Sequence, residues 1–270
     1  LRHTIGFYGA GNMAQVMIAG LLNSGFYQKE EIYVYNYRYE PTLKKVKEAY
    51  GVKVVSEEET LFEQTDWIIL AVKPAVLLQV LPRVKKYLTE EHVLVSVAAG
   101  VSTHQIAALT GPHKIIRAMP NTPATIQQAM SSISPNELVS SEQTQFVTEI
   151  FNSFGKAKVV SEENIDAVVG VSGSAPAYVY LFIEALADGA VAEGLPREDA
   201  YEFASQAVLG AAEMVEKTGK HPGELKDMVT SPKGTTVAAV QSLEESNFRA
   251  SIMRAVKAAA KRNHEMSEET

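Results

Sequence analysis

"TIGFYGAGNMAQVMIAGLLNSG", residues 4 to 25, decides how the first half of the chain folds. Residues 4 to 8 predict a short buried strand, glycine breaks it, and a helix follows from about Asn12 to Ser24. Gly9 permits a tight turn after the strand, and Gly11 lets the backbone approach a pyrophosphate. Ala14 fills the third small position, where the helix must lie close to a sheet. The amides at the helix start offer an anion site. A GxGxxA pattern alone also fits a plain turn. Here it stands between a strand and a helix at the head of a βαβ unit, the context that dinucleotide binding needs.

Outward from this loop the same alternation continues. "EIYVYN" (31–36), "VKVV" (52–55), "DWIILAVKP" (66–74), "HVLVSVAAG" (92–100) and "KIIRAMPN" (114–121) predict strands. "EPTLKKVKEAYG", "VLLQVLPRVKKYL" and "STHQIAALTG" predict the helices between them, the first starting near Pro41 and stopping at Gly51. Near-continuous apolar strands between helices are what a parallel sheet covered on both faces requires. From about residue 165 the spacing becomes helical only, punctuated at Gly194, Gly219 and Gly234. The expectation is an α/β nucleotide-binding domain over 1–164 and an all-helical domain over 165–270. Alanine-rich helices in so small a unit need a partner surface, and a second protomer is the favoured one.

Composition narrows the function. The 270 residues are 46% hydrophobic and 21% charged, an ordinary soluble composition. A formal net charge of -7 argues against a nucleic-acid binder. The absence of cysteine excludes disulfides, cysteine-ligated zinc and thiol catalysis. No metal site is expected: Glu184 and Asp188 lie four apart on one helical face, where local pairing suffices. No apolar run of about 18 residues is read, so no membrane partner is expected. "LRHTIGF" runs straight into strand-like sequence, and the default compartment is the cytoplasm.

The end of the second strand bears on the choice of nucleotide. An NAD site expects an acid there, whereas this chain has Asn36-Tyr37-Arg38. Arg38 suits a 2′-phosphate and can stack on adenine, and Asn36 can donate nearby, so NADPH is favoured, with NADH possible. The other reading of Arg38 is a surface residue before a helix. "AVKP", Ala71, Val72, Lys73 and Pro74, ends a strand and should reach the nicotinamide half. Lys73 is either part of that lining or a solvated lysine. In "MPNTPA" (119–124), Asn121 is a donor to cofactor or substrate, or a turn former. "SGSAPAY" (172–178) and "SPKGTT" (231–236) each place hydroxyls and amides before a helix, for capping, anion binding or both. For Thr235 and Thr236 alone, capping is the simpler reading.

Together "GFYGAGNMA", "AVKP", "VSVAAGV", "RAMPNTPA", "VSGSAPAYVYLFIEALADGAVAEGLPREDA" and "HPGELKDMVTSPKGTTVAAVQSLEESNFRASIMRAVKAAAKR" resemble the pyrroline-5-carboxylate reductase family of proline biosynthesis, over roughly residues 4 to 265. The resemblance implies a Rossmann-like N-terminal domain and an all-α C-terminal dimerisation domain. It implies a homodimer, with dimers assembling further into a ring, and NAD(P)H-dependent reduction of 1-pyrroline-5-carboxylate to L-proline. It also implies that Gly9, Ala10, Gly11, Asn12 and Met13 bind the pyrophosphate and that Ala71 to Pro74 line the cofactor. The loop ending in Thr235 and Thr236 would receive the substrate carboxylate near the dimer interface. The chain departs from the family pattern at four places. Lys233 interrupts "SPGGTT", Ala175 replaces a glycine, Tyr37 splits an Asn-Arg pair, and Glu58 stands for an asparagine. Lys233 needs φ below zero or a left-handed pose.

The chain offers no obvious catalytic histidine, and the imine can enter already protonated. Catalysis is then expected to rest on positioning, with Thr236 touching the substrate and Ser231, Lys233, Gly234 and Thr235 holding its carboxylate. A water completes proton delivery. Two alternatives stand beside this: a regulatory homologue with decayed catalysis, and a reductase of a related cyclic imine or a β-hydroxyacid.

Overall fold

In the computed structural model residues 4–269 are described, so the opening "LRH" and the final threonine lie outside the account. Strand β1 (Ile5–Tyr8) is buried along its whole length and pairs in parallel with β2 (Ile32–Tyr35) on one side and β4 (Trp67–Leu70) on the other. Alternate residues of these strands face opposite sides of the sheet. Ile5, Phe7, Trp67 and Ile69 pack with helix α1 (Asn12–Asn23), and with Val46 of α2 (Lys44–Tyr50). Tyr8, Ile68 and Leu70 pack with α3 (Glu58–Gln64), α4 (Pro74–Val84) and α5 (Thr103–Thr110) on the other face. Burial on both faces explains why these strands read as unbroken apolar runs.

The full sheet has eight strands in the order β3-β2-β1-β4-β5-β6-β7-β8, with β3 Lys53–Val55, β5 Val93–Ser96 and β6 Lys114–Met119. Two strands extend the expected set: β7 (Ala129–Pro135), antiparallel to β6, and β8 (Gly155–Val159), parallel to β7. The expected parallel sheet is thus present, with one antiparallel pairing at β6 and β7. The chain turns back through the proline-containing 3-10 segment Thr122–Ile126, too short for the crossover a parallel strand requires. Strands β4 and β5 also end earlier than expected, because "AVKP" and "VAAG" run past the last ladder partner. Helix α6 (Ser141–Asn152), with Ser140 as its N-cap, and the short α7 (Ile165–Val168) complete this unit.

The chain divides into two compact units, one of residues up to Gly173 together with those from Ala259 onward, the other Ser174–Ala258. The second is all helical: α8 (Ala175–Ala192), α9 (Arg197–Thr218), α10 (Pro222–Met228), α11 (Thr235–Glu245) and α12 (Phe248–Glu269), whose end belongs to the first unit. Gly194 and Gly219 follow the ends of α8 and α9 with φ of 99° and 64°, the left-handed pose glycine adopts without cost. The buried core of this unit is small, Ala187, Ala200 and Ala204 with partly buried neighbours such as Ile183 and Leu195.

One helix bears on the lack of an unbroken apolar run. The helical run Glu162–Ala192 is long and apolar enough to cross a membrane, with a mean hydropathy of 1.3 and 11% of the window buried. The helix is not one unbroken apolar run, because it continues through isolated acids such as Glu184 and Asp188. Length and composition alone do not place such a helix in a bilayer: an apolar face covered by another protein surface has the same signature.

Candidate functional site

The glycine loop leaves β1 at the carboxyl edge of the sheet. Gly9 has φ 107°, and a Cβ there would sit 2.5 Å from the Ala71 carbonyl oxygen, so no other residue fits. Gly9 N–H donates to the Tyr35 carbonyl at 2.8 Å, and Ala71 N–H to the Tyr8 carbonyl at 2.9 Å. Gly11 differs: nothing lies within 4 Å of where its Cβ would stand. It is the N-cap of α1 and places no side chain over the helix start, while Asn12 and Met13 supply the first turn. Open space before a helix N-terminus matches a pyrophosphate cradle.

Asn36 ties this loop to the end of β2. Its Oδ1 accepts from Ala10 N–H at 3.4 Å, and its Nδ2 donates to the Arg38 carbonyl at 2.8 Å. Its amide thus shapes the crevice by holding backbone.

A cavity of about 460 Å³ opens beside the loop, lined by Gly9, Ala10, Gly11, Asn36, Ala71, Val72 and Lys73, among others. Its volume is within the range of small-molecule and cofactor sites. Pro74 is the first residue of α4 and sets that helix's direction without lining the cavity. Arg38 is exposed and is not among the lining residues either. Neither Arg38 nor Lys73 has an ion pair among the described residues, so both charges are available to an anion.

Four residues at or beside the cavity were not foreseen as a group. Tyr8, Tyr35 and Arg83 line it, and Glu58 hydrogen-bonds with Tyr8 and Arg83. Burial first, and then the Glu58 hydrogen bond, raise the Tyr8 phenol well above its ordinary range and keep it protonated. Burial likewise raises the Tyr35 phenol. Burial works against the Glu58 carboxylate, yet the hydrogen bonds from Arg83 and Tyr8 outweigh it and the pKa is lowered. The sequence carried two signals for this cluster. Glu58 is a departure from the family pattern, and Arg83 follows Val76, Gln79 and Val80 at helical spacing.

Asn121 is engaged by its own surroundings. Its Nδ2 donates to the Ser172 carbonyl at 3.1 Å and its Oδ1 accepts from Met130 N–H at 2.9 Å, so it staples the start of β7 to the following chain.

In the helical unit, "SPKGTT" leads into α11, whose N-cap is Gly234 with no side-chain capping bond. The capping reading of Thr235 and Thr236 is therefore corrected: they are the first and second residues inside the helix, one and two positions too late to cap. Lys233 adopts the left-handed pose, φ 62°. Gly234 N–H donates to the Ser231 carbonyl at 3.1 Å, and a Cβ on Gly234 would meet Ser231 Oγ at 2.4 Å. The result is a tight turn ahead of a helix start, with Ser231 before it and Thr236 in the first turn, and the unpartnered amides of a helix start suit a carboxylate.

Residues 162–266 match the family model for pyrroline-5-carboxylate reductase dimerisation, and residues 4–100 match that described as NADP oxidoreductase coenzyme F420-dependent. The pyrroline-5-carboxylate reductase of Escherichia coli is 46% identical over 267 residues, covering 97% of this chain and 98% of that protein. The solved structure of a pyrroline-5-carboxylate reductase from Coxiella burnetii aligns with a TM-score of 0.93 at 36% identity, covering 98% of each chain. That of Plasmodium falciparum pyrroline carboxylate reductase with NADP bound aligns with a TM-score of 0.87 at 32% identity, again over 98% of each chain. With a glycine loop, a helical dimerisation segment and this likeness along its whole length, the chain belongs to the pyrroline-5-carboxylate reductase family.

Proposed function

We propose that this chain reduces 1-pyrroline-5-carboxylate to L-proline with NADPH. Residues 1–164 do the nucleotide work, and 165–270 hold the substrate and a second protomer. The observation that carries the cofactor half is the loop itself. Gly9 can be only glycine, Gly11 faces open space, and a cavity of cofactor size adjoins them. The substrate follows from the family.

When bound, the reduced nicotinamide supplies a hydride to the C5 imine carbon. The residues of this chain bind and orient. Gly9, Ala10, Gly11, Asn12 and Met13 hold the pyrophosphate against the start of α1, and Ala71 to Lys73 line the path toward the nicotinamide. Arg38 meets the 2′-phosphate, supported by its unpaired guanidinium. Ser231, Lys233, Gly234, Thr235 and Thr236 take the carboxylate, with the Thr236 hydroxyl in direct contact, and Asn121 fixes the β6–β7 turn. Among the described residues no histidine lines the cavity, and a protonated imine needs no protein acid. Rate then comes from holding the carbon in place and excluding water.

The homodimer is supported by the match of 162–266 to a dimerisation family and by apolar surface exposed on the helical unit. Assembly of dimers into a ring, and a cytoplasmic site of action, rest on the resemblance. One observation favours a second reading, a nucleotide-binding regulator without turnover: Lys233 occupies a pose that glycine takes more easily.

Steady-state assays with 1-pyrroline-5-carboxylate and its six-membered homologue separate these readings. Turnover of the five-membered imine supports the reductase, preference for the larger ring transfers the site to a related imine, and NADPH binding without turnover establishes the regulator. Thr236→Val keeps shape and deletes the hydroxyl. It should raise the substrate KM by about 10- to 150-fold, the loss of one hydrogen bond to a charged group, and leave the NADPH Kd unchanged. Unchanged KM and kcat would remove the side-chain contact. Thr235→Val should do less.

A further inference from the structure

Arg83 stands on the cavity wall, on the same face of α4 as Val76, Gln79 and Val80. Its guanidinium forms a two-point pair with Glu58, Nε donating at 3.0 Å to Oε2 and Nη2 donating to Oε1. Nη2 also donates to the Tyr8 hydroxyl at 3.1 Å, and that hydroxyl donates to Glu58. The Glu58 side chain is 12% exposed and the Arg83 side chain 51%, so the anion is set inward and the cation outward. Nη1 makes no hydrogen bond among the described residues.

Such a clamp fixes the plane of a side chain that otherwise samples many rotamers. It also cancels the charge locally. The Tyr8–Glu58–Arg83 cluster is net neutral, so it offers an anion little field and presents instead a flat face and the Nη1–H donors. Around it the cavity has apolar walls at Val72, Val76 and Val80. The Tyr8 and Tyr35 rings lie at its floor with centroids 5.0 Å apart, and Tyr37 stands 82% exposed on its lining. Apolar faces with donors at one edge suit a flat heteroaromatic ring bearing acceptor nitrogens. A phosphate is better served by Arg38 and Lys73, whose charges are uncompensated.

We propose that Arg83, fixed in place by Glu58 and Tyr8, reads the adenine base of the dinucleotide and makes this clamp the base-selecting element of the site. The proposal rests on the reading of the cavity as the cofactor site and adds to it which residue meets which part.

Calorimetric titration of the intact protein with ADP, 2′,5′-ADP and nicotinamide mononucleotide tests it. Arg83→Met should raise the Kd of ADP and 2′,5′-ADP by the same factor, about tenfold or more, and leave nicotinamide mononucleotide unchanged. Glu58→Gln, which keeps the arginine and loosens its clamp, should weaken both adenosine probes by a smaller common factor. Because Arg83→Met leaves the nearly enclosed Glu58 carboxylate without its cation, the double variant Glu58→Gln/Arg83→Met serves as the folded control and should show the same split between probes. Equal ADP affinity in wild type and Arg83→Met overturns the proposal. A loss confined to 2′,5′-ADP overturns it too, since Arg83 would then read the phosphate. A uniform loss across all three probes with a lowered melting temperature marks a purely structural role and also overturns it. If the unmodified protein binds none of the probes, the cofactor reading itself fails and takes the proposal with it.

Discussion

The two units of this chain solve burial in opposite ways. The α/β unit encloses its large apolar side chains: Phe7, Met17, Leu61, Ile68 and Phe151 are all at or near zero exposure on the two faces of one sheet. The helical unit buries only alanines fully, and leaves Leu181 67% and Phe203 70% exposed. At roughly 25 cal/mol per Å² the first arrangement supports a fold by itself. The second leaves large apolar side chains exposed, the signature of an interaction surface. The contrast separates a scaffold complete within one chain from an apolar helical surface that the proposed dimer would cover.

The sharpest way to break the contrast is to charge the exposed face. Leu181→Asp or Phe203→Asp should shift a dimer toward monomer by about a thousandfold in Kd, roughly 4 kcal/mol for an unpaired charge in an apolar interface. Sedimentation at micromolar concentration checks this. NADPH binding to the α/β unit should survive the change. A variant that stays dimeric places these residues outside the interface, and an active wild-type monomer dissolves the contrast altogether.

Within the α/β unit the vulnerable point is a backbone position. Gly9→Ala must place a methyl 2.5 Å from the Ala71 carbonyl oxygen at φ 107°. The strain and the overlap together cost about 3 kcal/mol or more. Thermal unfolding should report a destabilised α/β unit, and fluorescence titration should show NADPH binding lost. Retention of both would mean that the loop relaxes without consequence.

The glycine loop was legible because a positive φ and a close approach leave a residue-type signature in the chain. The buried strands were legible because both their faces are covered. Strands β7 and β8 were not, since "AMSSISP" and "GKAKV" lack that signature. Ser131, Ser132 and Ser134 are buried in β7 despite their polarity, and β8 lies at the sheet edge, where alternation with lysine is tolerated. The Tyr8–Glu58–Arg83 cluster escaped for a different reason. Its members come from a strand and two helices separated by up to 75 positions, and only the fold brings them together. The "SPKGTT" loop was legible as a helix start, but which residue caps it depended on a single position of register.

A milder change sharpens the division between charge and shape around the nucleotide. Arg38→Ala should raise the KM for NADPH by about 10- to 150-fold and leave that for NADH nearly unchanged, the loss of one charge-assisted contact. Equal effects on the two cofactors would remove Arg38 from 2′-phosphate recognition.

The smallest expected effect lies in the helical unit, at Lys233. Its φ of 62° is a pose that costs a side-chain-bearing residue about 1 kcal/mol and glycine almost nothing. Lys233→Gly relieves that strain but gives the unfolded chain more freedom, which offsets about 0.4–1 kcal/mol of the gain. The net change should be within about 0.5 kcal/mol, a shift of no more than 1–2 °C in Tm for a chain of this size. Lys233→Asn separates the two terms, because asparagine tolerates the left-handed pose without glycine's freedom, and it should raise Tm more than glycine does. Substrate kinetics on the same pair then isolate the charge. If the ammonium helps hold the carboxylate, both variants raise the KM for 1-pyrroline-5-carboxylate together, whatever Tm does. If KM stays level, lysine contributes only to the turn, and the carboxylate is held by the hydroxyls and amides of residues 231–236. A fall in Tm for both variants would show that the left-handed pose carries no strain here, and that the lysine side chain stabilises the loop by its own contacts.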